Sequence, residues 1–151
     1  DDAFGVVLAQ KLEREAAFPP SVRVMEIGSA GIHLVQQLFD KYRVLILLDI
    51  VKWGGAAGTI HFREVEVKDA TQLPQDEQNE FLADMHYINP LKALMMAKAL
   101  NVLPPQVLFL GCESEEHEEI GIGLSAAVEA ALPVAFKKVT EWVKDQKQNV
   151  N

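Results

Sequence analysis

The sequence predicts an α/β domain in which helices cover both sides of a mostly parallel sheet. Two observations carry this. Strand-like and helix-like segments alternate along the 151 residues, the pattern of a layered α/β architecture. One strand-like segment, Val44 to Leu48, is an almost unbroken apolar run, typical of strands buried on both faces of a parallel sheet. A chain of this length buries about two thirds of its surface in one core. Its 49% hydrophobic and 24% charged residues are those of a globular protein, and residues 1–151 read as a single domain without repeat or linker.

The elements follow in order. Phe4, Val7, Leu8 and Leu12 keep helical spacing, with Asp1 and Asp2 placed as N-cap acceptors, so a helix is expected over about residues 3–15 and ends before Pro19-Pro20. Val22 to Ile27 reads as a strand, Gly28 to Gly31 as a tight turn, and Ile32, Val35, Leu38 and Phe39 as the buried stripe of a second helix. The apolar run from Val44 ends at an acid, Asp49. The connector VKWGGAAG is too short for a crossover helix, so the alternating TIHFREVEV is expected as an edge strand antiparallel to its predecessor. Residues 69–85 are polar with a short helix. A helix starts at Pro90 and runs to Leu100, and Gln106 to Leu110 forms another buried strand. Residues 124–146 make the last helix, with Leu124, Val128, Leu132, Ala135, Val139 and Val143 on one side and Pro133 expected to kink or restart it.

Composition counts against several functions. Fourteen basic against 22 acidic side chains leave a net charge of −8, a field that repels phosphate backbones and anionic lipid. No run approaches the roughly 18 apolar residues of a membrane span, and the start lacks a signal peptide, so a cytoplasmic protein without membrane insertion or nucleic-acid partner is expected. The single cysteine, Cys112, excludes an internal disulfide and a site needing two thiolates.

In open α/β sheets ligands bind beyond the carboxyl ends of the strands. Asp49 stands out there, because an acid closing a buried aliphatic run must be solvated, paired or bound; the alternative is a loop cap. His86, in a polar connector before Pro90, is either a capping histidine or a ligand. Asp1 and Asp2 are most simply N-caps. Two carboxylates and an imidazole that converge would suit zinc, nickel or a similar ion. His33, His61 and His117 read as helix-surface, strand-surface and solvated-loop positions. Cys112 is followed by Glu113, Glu115, Glu116, Glu118 and Glu119, whose charge disfavours a thiolate, so a buried strand-end thiol and a solvated acidic loop are expected. No G-x-S-x-G elbow surrounds any serine. The Gly28–Gly31 turn could bind an anion but is neither a dinucleotide fingerprint nor a P-loop.

Several segments together resemble the hydrogenase maturation protease family, the endopeptidases that trim the C-terminal extension of nickel-iron hydrogenase large subunits. DDAFGV at residues 1–6 resembles the family's acidic pair and phenylalanine-glycine-valine helix start. Glu26 to Gly31 resembles its D-G-G-T-x-G turn, LLDIV its strand ending in D-A, His86 in DMHYINPLKALMMAK its histidine before a long helix, and Gly123-Leu124-Ser125 its closing G-L-S/T. The motifs occur in the family's order over the whole chain, although Ile27 and Ser29 replace glycine and threonine in the turn. The family's first strand and G-N-x-L loop are absent, and with a sequence that opens on Asp1 instead of Met this implies an incomplete chain.

The resemblance implies a twisted sheet of about five strands, the first one missing. It further implies an endopeptidase of neither serine nor cysteine type, aspartyl-like in its reliance on carboxylates. Asp2, Asp49 and His86 would be its catalytic and metal-contacting residues. They would read a nickel ion carried by the hydrogenase large-subunit precursor, with no organic cofactor, and the enzyme would act as a monomer. The competing readings are a non-catalytic metal- or anion-binding α/β module and a peptidase of the same fold acting on another protein.

Overall fold

A computed structural model describes residues 1–28, 31–83, 90–115 and 123–148. Its elements in chain order are α1 (Phe4–Glu15), α2 (Gly31–Leu38), β1 (Val44–Val51), β2 (Ile60–Glu64), a 3₁₀ turn (Ala70–Gln72), α3 (Gln75–Ala83), α4 (Pro90–Ala99), β3 (Gln106–Glu113) and α5 (Ala126–Gln148). The sheet order is β1-β3-β2. Numbering advances together along β1 and β3, where Gln106 N–H donates to Arg43 and Ser114 N–H to Val51, so that pair is parallel. It runs oppositely along β2 and β3, where Glu113 bonds Thr59 and Val65 bonds Val107, so that pair is antiparallel. The α/β class holds, with three strands among the described residues, one pair of each sense.

Internal contacts divide the chain into two compact units. One comprises residues 1–26, 46–63 and 109–151, the other residues 27–45 and 64–108. The first holds the α1–α5 packing and a core of Phe4, Leu8, Leu12, Leu110, Cys112, Val128, Ala131, Ala135 and Val139. Ile46, Leu48 and Ile50 of β1 and Ile60 and Phe62 of β2 pack against that core. Strand alternation then turns Asp49, Val51, His61, Arg63, Phe109, Gly111 and Glu113 to the opposite face of the sheet. In the second unit α2 packs on α4 and α4 on the 3₁₀ turn. Asp69 caps that turn by accepting from the Thr71 N–H at 2.9 Å and its hydroxyl at 2.7 Å. These bonds hold the exposed Asp69 carboxyl below the usual range, the Thr71 hydroxyl most of all.

The structure departs from the sequence reading at several elements. Val22 to Ile27 forms no strand; Val24 does pack against the core, because period-two patterning fixes which side chains face inward and not whether a neighbour lies alongside to pair. β1 continues past Asp49 to Val51, so the acid sits within the strand. As the edge of the described sheet, β1 is half-buried up to Ile50 instead of covered on both faces. β2 pairs with β3, not with its predecessor, so the short glycine-rich connector passes over the end of β3. In α2 the buried residues are Gly31, Leu34, Val35 and Leu38, while Ile32 and Phe39 are exposed, because packing on α4 selects a stripe rotated from the one expected.

Two further corrections concern helix chemistry. α5 runs unbroken through Pro133. Proline there forgoes one bond to Glu129 and costs about 3 kcal/mol, which burial of Val128, Ala131, Ala135 and Val139 offsets. Neither Asp1 nor Asp2 caps α1, whose N-cap Ala3 makes no side-chain bond; the Asp1 backbone carbonyl accepts from Phe4 N–H at 3.0 Å, and its carboxylate turns elsewhere.

Gly5 explains how α1 comes so close to β1. A Cβ built there would collide with the Leu48 carbonyl and lie 3.8 Å from the Asp49 Cα. Gly5→Ala is therefore expected to lower stability, in spite of alanine's helix propensity advantage of about 1 kcal/mol, because helix and strand must separate and reopen the core around Phe4 and Leu8. A thermal unfolding midpoint at or above that of the unsubstituted protein would refute the close-packing account.

Candidate active site

The first unit brings two of the three candidate residues together. Asp2 is exposed in the turn before α1, and Asp49 is half-buried within β1. The Asp49 Oδ1 accepts the Ile50 N–H at 2.8 Å. Burial raises the Asp49 carboxyl above its ordinary range, the Ile50 bond opposes this, and the nearby negative charge of Asp2 raises it further. The two carboxylates thus act on one another across a long stretch of sequence. His86 and His117 lie outside the described residues. Among the described residues no three His, Cys, Asp or Glu side chains are grouped to hold a metal ion. Of the Gly28–Gly31 turn, Ser29 and Ala30 lie outside the description as well.

Asp1 explains why the start of α1 is fixed. Its Oδ1 accepts from the Ser125 N–H at 2.6 Å, and its Oδ2 from the Ser125 hydroxyl at 3.0 Å and the Ser114 hydroxyl at 2.8 Å. One carboxylate ties the turn that carries Asp2 to the end of β3 and the approach to α5. Ser125 belongs to the closing G-L-S segment, so that motif and the acidic pair meet in space.

Sequence reasoning missed a second constellation. Glu113, read as part of a solvated run, is 1% exposed at the end of β3. Its Oε2 accepts the Trp53 N–H at 3.1 Å, and its Oε1 lies 3.0 Å from His61 Nε2. Its backbone carbonyl accepts the Gly58 N–H at 2.8 Å, and its own N–H donates to Thr59 at 2.9 Å. Gly58 permits this with φ +82° and no Cβ, where one would strike the Ala127 carbonyl. His61 is thus partnered and not merely a strand-surface residue. The signal was present: Glu113 ends an apolar strand as Asp49 interrupts one, but the acids after it disguised it.

Cys112 is fully buried in the core beside Glu113. Burial pushes its thiol up, the Glu113 charge adds to this, and a backbone contact with Gly58 opposes it. A thiolate is disfavoured there, which agrees with a packing role. His33 is exposed on α2, 3.3 Å from Gln36 Oε1. A groove of about 710 Å³ in the second unit, lined in part by Glu64, Val67, Lys98 and Pro104, holds no candidate residue.

The profile of the hydrogenase maturation protease family matches residues 6–142. The chain belongs to the hydrogenase maturation protease family. It is similar to the hydrogenase expression/formation protein HoxM of Azotobacter vinelandii, with 30% identity over 150 residues that cover 97% of this chain and 67% of the relative. The hydrogenase 2 maturation peptidase from Thaumarchaeota archaeon SCGC_AB-539-E09 is 29% identical with a TM-score of 0.64, over 95% of this chain and 89% of that one. The hydrogenase maturating endopeptidase HybD from Escherichia coli shares the fold with a TM-score of 0.74 at 21% identity, over 96% of this chain and 85% of that one. Members of this family are endopeptidases, and the α/β class and the order of motifs agree with that membership.

The Asp49 environment sets a sign for stability against pH. A carboxyl whose folded value is raised stabilises the fold least when ionised, so stability falls as pH rises from the unfolded carboxylate range, roughly pH 4, through the folded value. Asn keeps the Ile50 acceptor without the charge. Asp49→Asn should therefore melt higher than the unsubstituted protein at pH 7, with the gap closing below roughly pH 4; equal midpoints at all pH values would contradict the electrostatic picture.

Proposed function

We propose that this endopeptidase removes the C-terminal extension of a nickel-iron hydrogenase large-subunit precursor after nickel insertion, and that Asp2, Asp49 and His86 read the nickel carried by that substrate. Family membership supports the reaction class. The observation that most supports the residues is the electrostatic coupling of Asp2 to Asp49. Two like charges within electrostatic reach of one another, one of them half-buried, repel each other until a cation comes between them, and carboxylates with an imidazole suit nickel. The metal would arrive with the precursor, so its presence licenses cleavage and an empty precursor is passed over. The same reading takes the enzyme to act as a cytoplasmic monomer; among the described residues no helix is long and apolar enough to cross a membrane.

Co-expression with a large-subunit precursor tests this by the mass of the large subunit. Cleavage is expected only with nickel supplied, and Asp2→Asn, Asp49→Asn or His86→Ala should leave the precursor uncut while the enzyme remains folded. Processing of nickel-free precursor would overturn the metal-reading role, and normal processing by Asp49→Asn would remove that residue from the site.

A separate expectation concerns Cys112. Cys112→Ala should process precursor at a near normal rate, and thiol-alkylating reagents should not inhibit. A folded but inactive Cys112→Ala would require a cysteine nucleophile.

A further inference from the structure

Beyond Asp2, Asp49 and His86, the first unit carries an aromatic side chain held in place by more neighbours than its exposure leads one to expect. Trp53 lies in the connector that follows β1, four residues after Asp49, and is 50% exposed. The Arg63 guanidinium lies over its ring at 4.1 Å, the His61 ring is tilted against it at 4.9 Å, and the Phe109 ring sits at 6.1 Å. Its backbone N–H is tied to the fully buried Glu113 carboxylate, which also holds His61. Glu113 further secures the far end of the connector through its own backbone bonds to Gly58 and Thr59. A carboxylate placed in the interior requires such partners. The result is a strap across the end of β3, anchored at both ends by one residue, that displays a fixed indole to solvent.

Tryptophan and arginine are among the residues that most often carry binding energy at protein interfaces, and here the two are stacked. Its place past the carboxyl end of β1, on the connector leading from Asp49, is where open α/β sheets receive ligands. The enzyme class fixes the occupant as a polypeptide. Resting on the function proposed above, we propose that Trp53 and Arg63 bind an extended segment of the precursor beside the scissile bond, an apolar side chain against the indole and peptide carbonyls at the guanidinium, and that Glu113, with His61, is the positioning residue that fixes this surface. The pair determines which polypeptide is accepted and takes no part in bond breaking.

Initial rates measured over a range of nickel-loaded precursor concentrations, with the full natural chain, test this by separating KM from kcat. Trp53→Ala should raise KM by about tenfold, the size expected for loss of one anchoring side chain, with kcat within about twofold; Trp53→Phe should recover part of the loss. Glu113→Ala should reproduce the KM effect, whereas Glu113→Gln, which retains an acceptor for the Trp53 N–H, should recover KM towards that of the unsubstituted enzyme. Should Glu113→Ala fail to fold, the Trp53 and Arg63→Met variants still decide. In enzyme labelled with 5-fluorotryptophan, the ¹⁹F resonance of Trp53 should shift on addition of precursor. An unchanged KM in Trp53→Ala, a loss confined to kcat, or a Trp53 resonance indifferent to precursor would overturn the proposal. Absence of cleavage by the unsubstituted enzyme together with a Trp53 shift would instead count against the processing reaction and leave polypeptide binding supported.

Discussion

The close approach of α1 to β1 is the constraint on which the candidate site depends. It exists because residue 5 has no side chain. With helix and strand nearly touching at Leu48, the turn before the helix is brought near Asp49, and Asp2 comes within electrostatic reach of it. The apolar side of the same helix, Phe4, Leu8 and Leu12, fills the core against Leu110 and Val128. One residue type therefore serves packing and chemistry at once, since the helix cannot be moved outward to relieve repulsion between the acids without opening the core.

Two acids of this unit, Glu113 and Asp49, are handled in opposite ways. Glu113 receives a backbone N–H and a histidine, so its charge is compensated from within. Asp49 receives one backbone N–H and lies within electrostatic reach of another carboxylate. The first arrangement builds a scaffold. The second stores an unfavourable interaction, and unfavourable interactions held in place by surrounding packing concentrate at functional sites.

Much of the fold was legible because its main elements are long and periodic. The stripes of α1 and α5 and the apolar runs of β1 and β3 announce themselves within single segments, and Asp49 stands out as an acid in an aliphatic run, whereas only the family resemblance singled out Asp2 beside it. What was not legible depends on partners distant in sequence. Whether Val22 to Ile27 pairs, which stripe of α2 is covered, and that β2 joins β3 across a short connector are all decided by neighbours. Glu113 illustrates the limit most clearly: acids that follow it look solvated as a group, and only the fold reveals that the first of them belongs to a strand. The order of weak motifs read the family where no single motif sufficed.

The Asp1 carboxylate adds a matter of timing. It bonds residues 114 and 125, contacts of very high sequence separation, and such contacts form last because the intervening chain must first be gathered. During synthesis from the N-terminus, the turn bearing Asp2 lacks its tie to Ser125 until the approach to α5 has emerged from the ribosome.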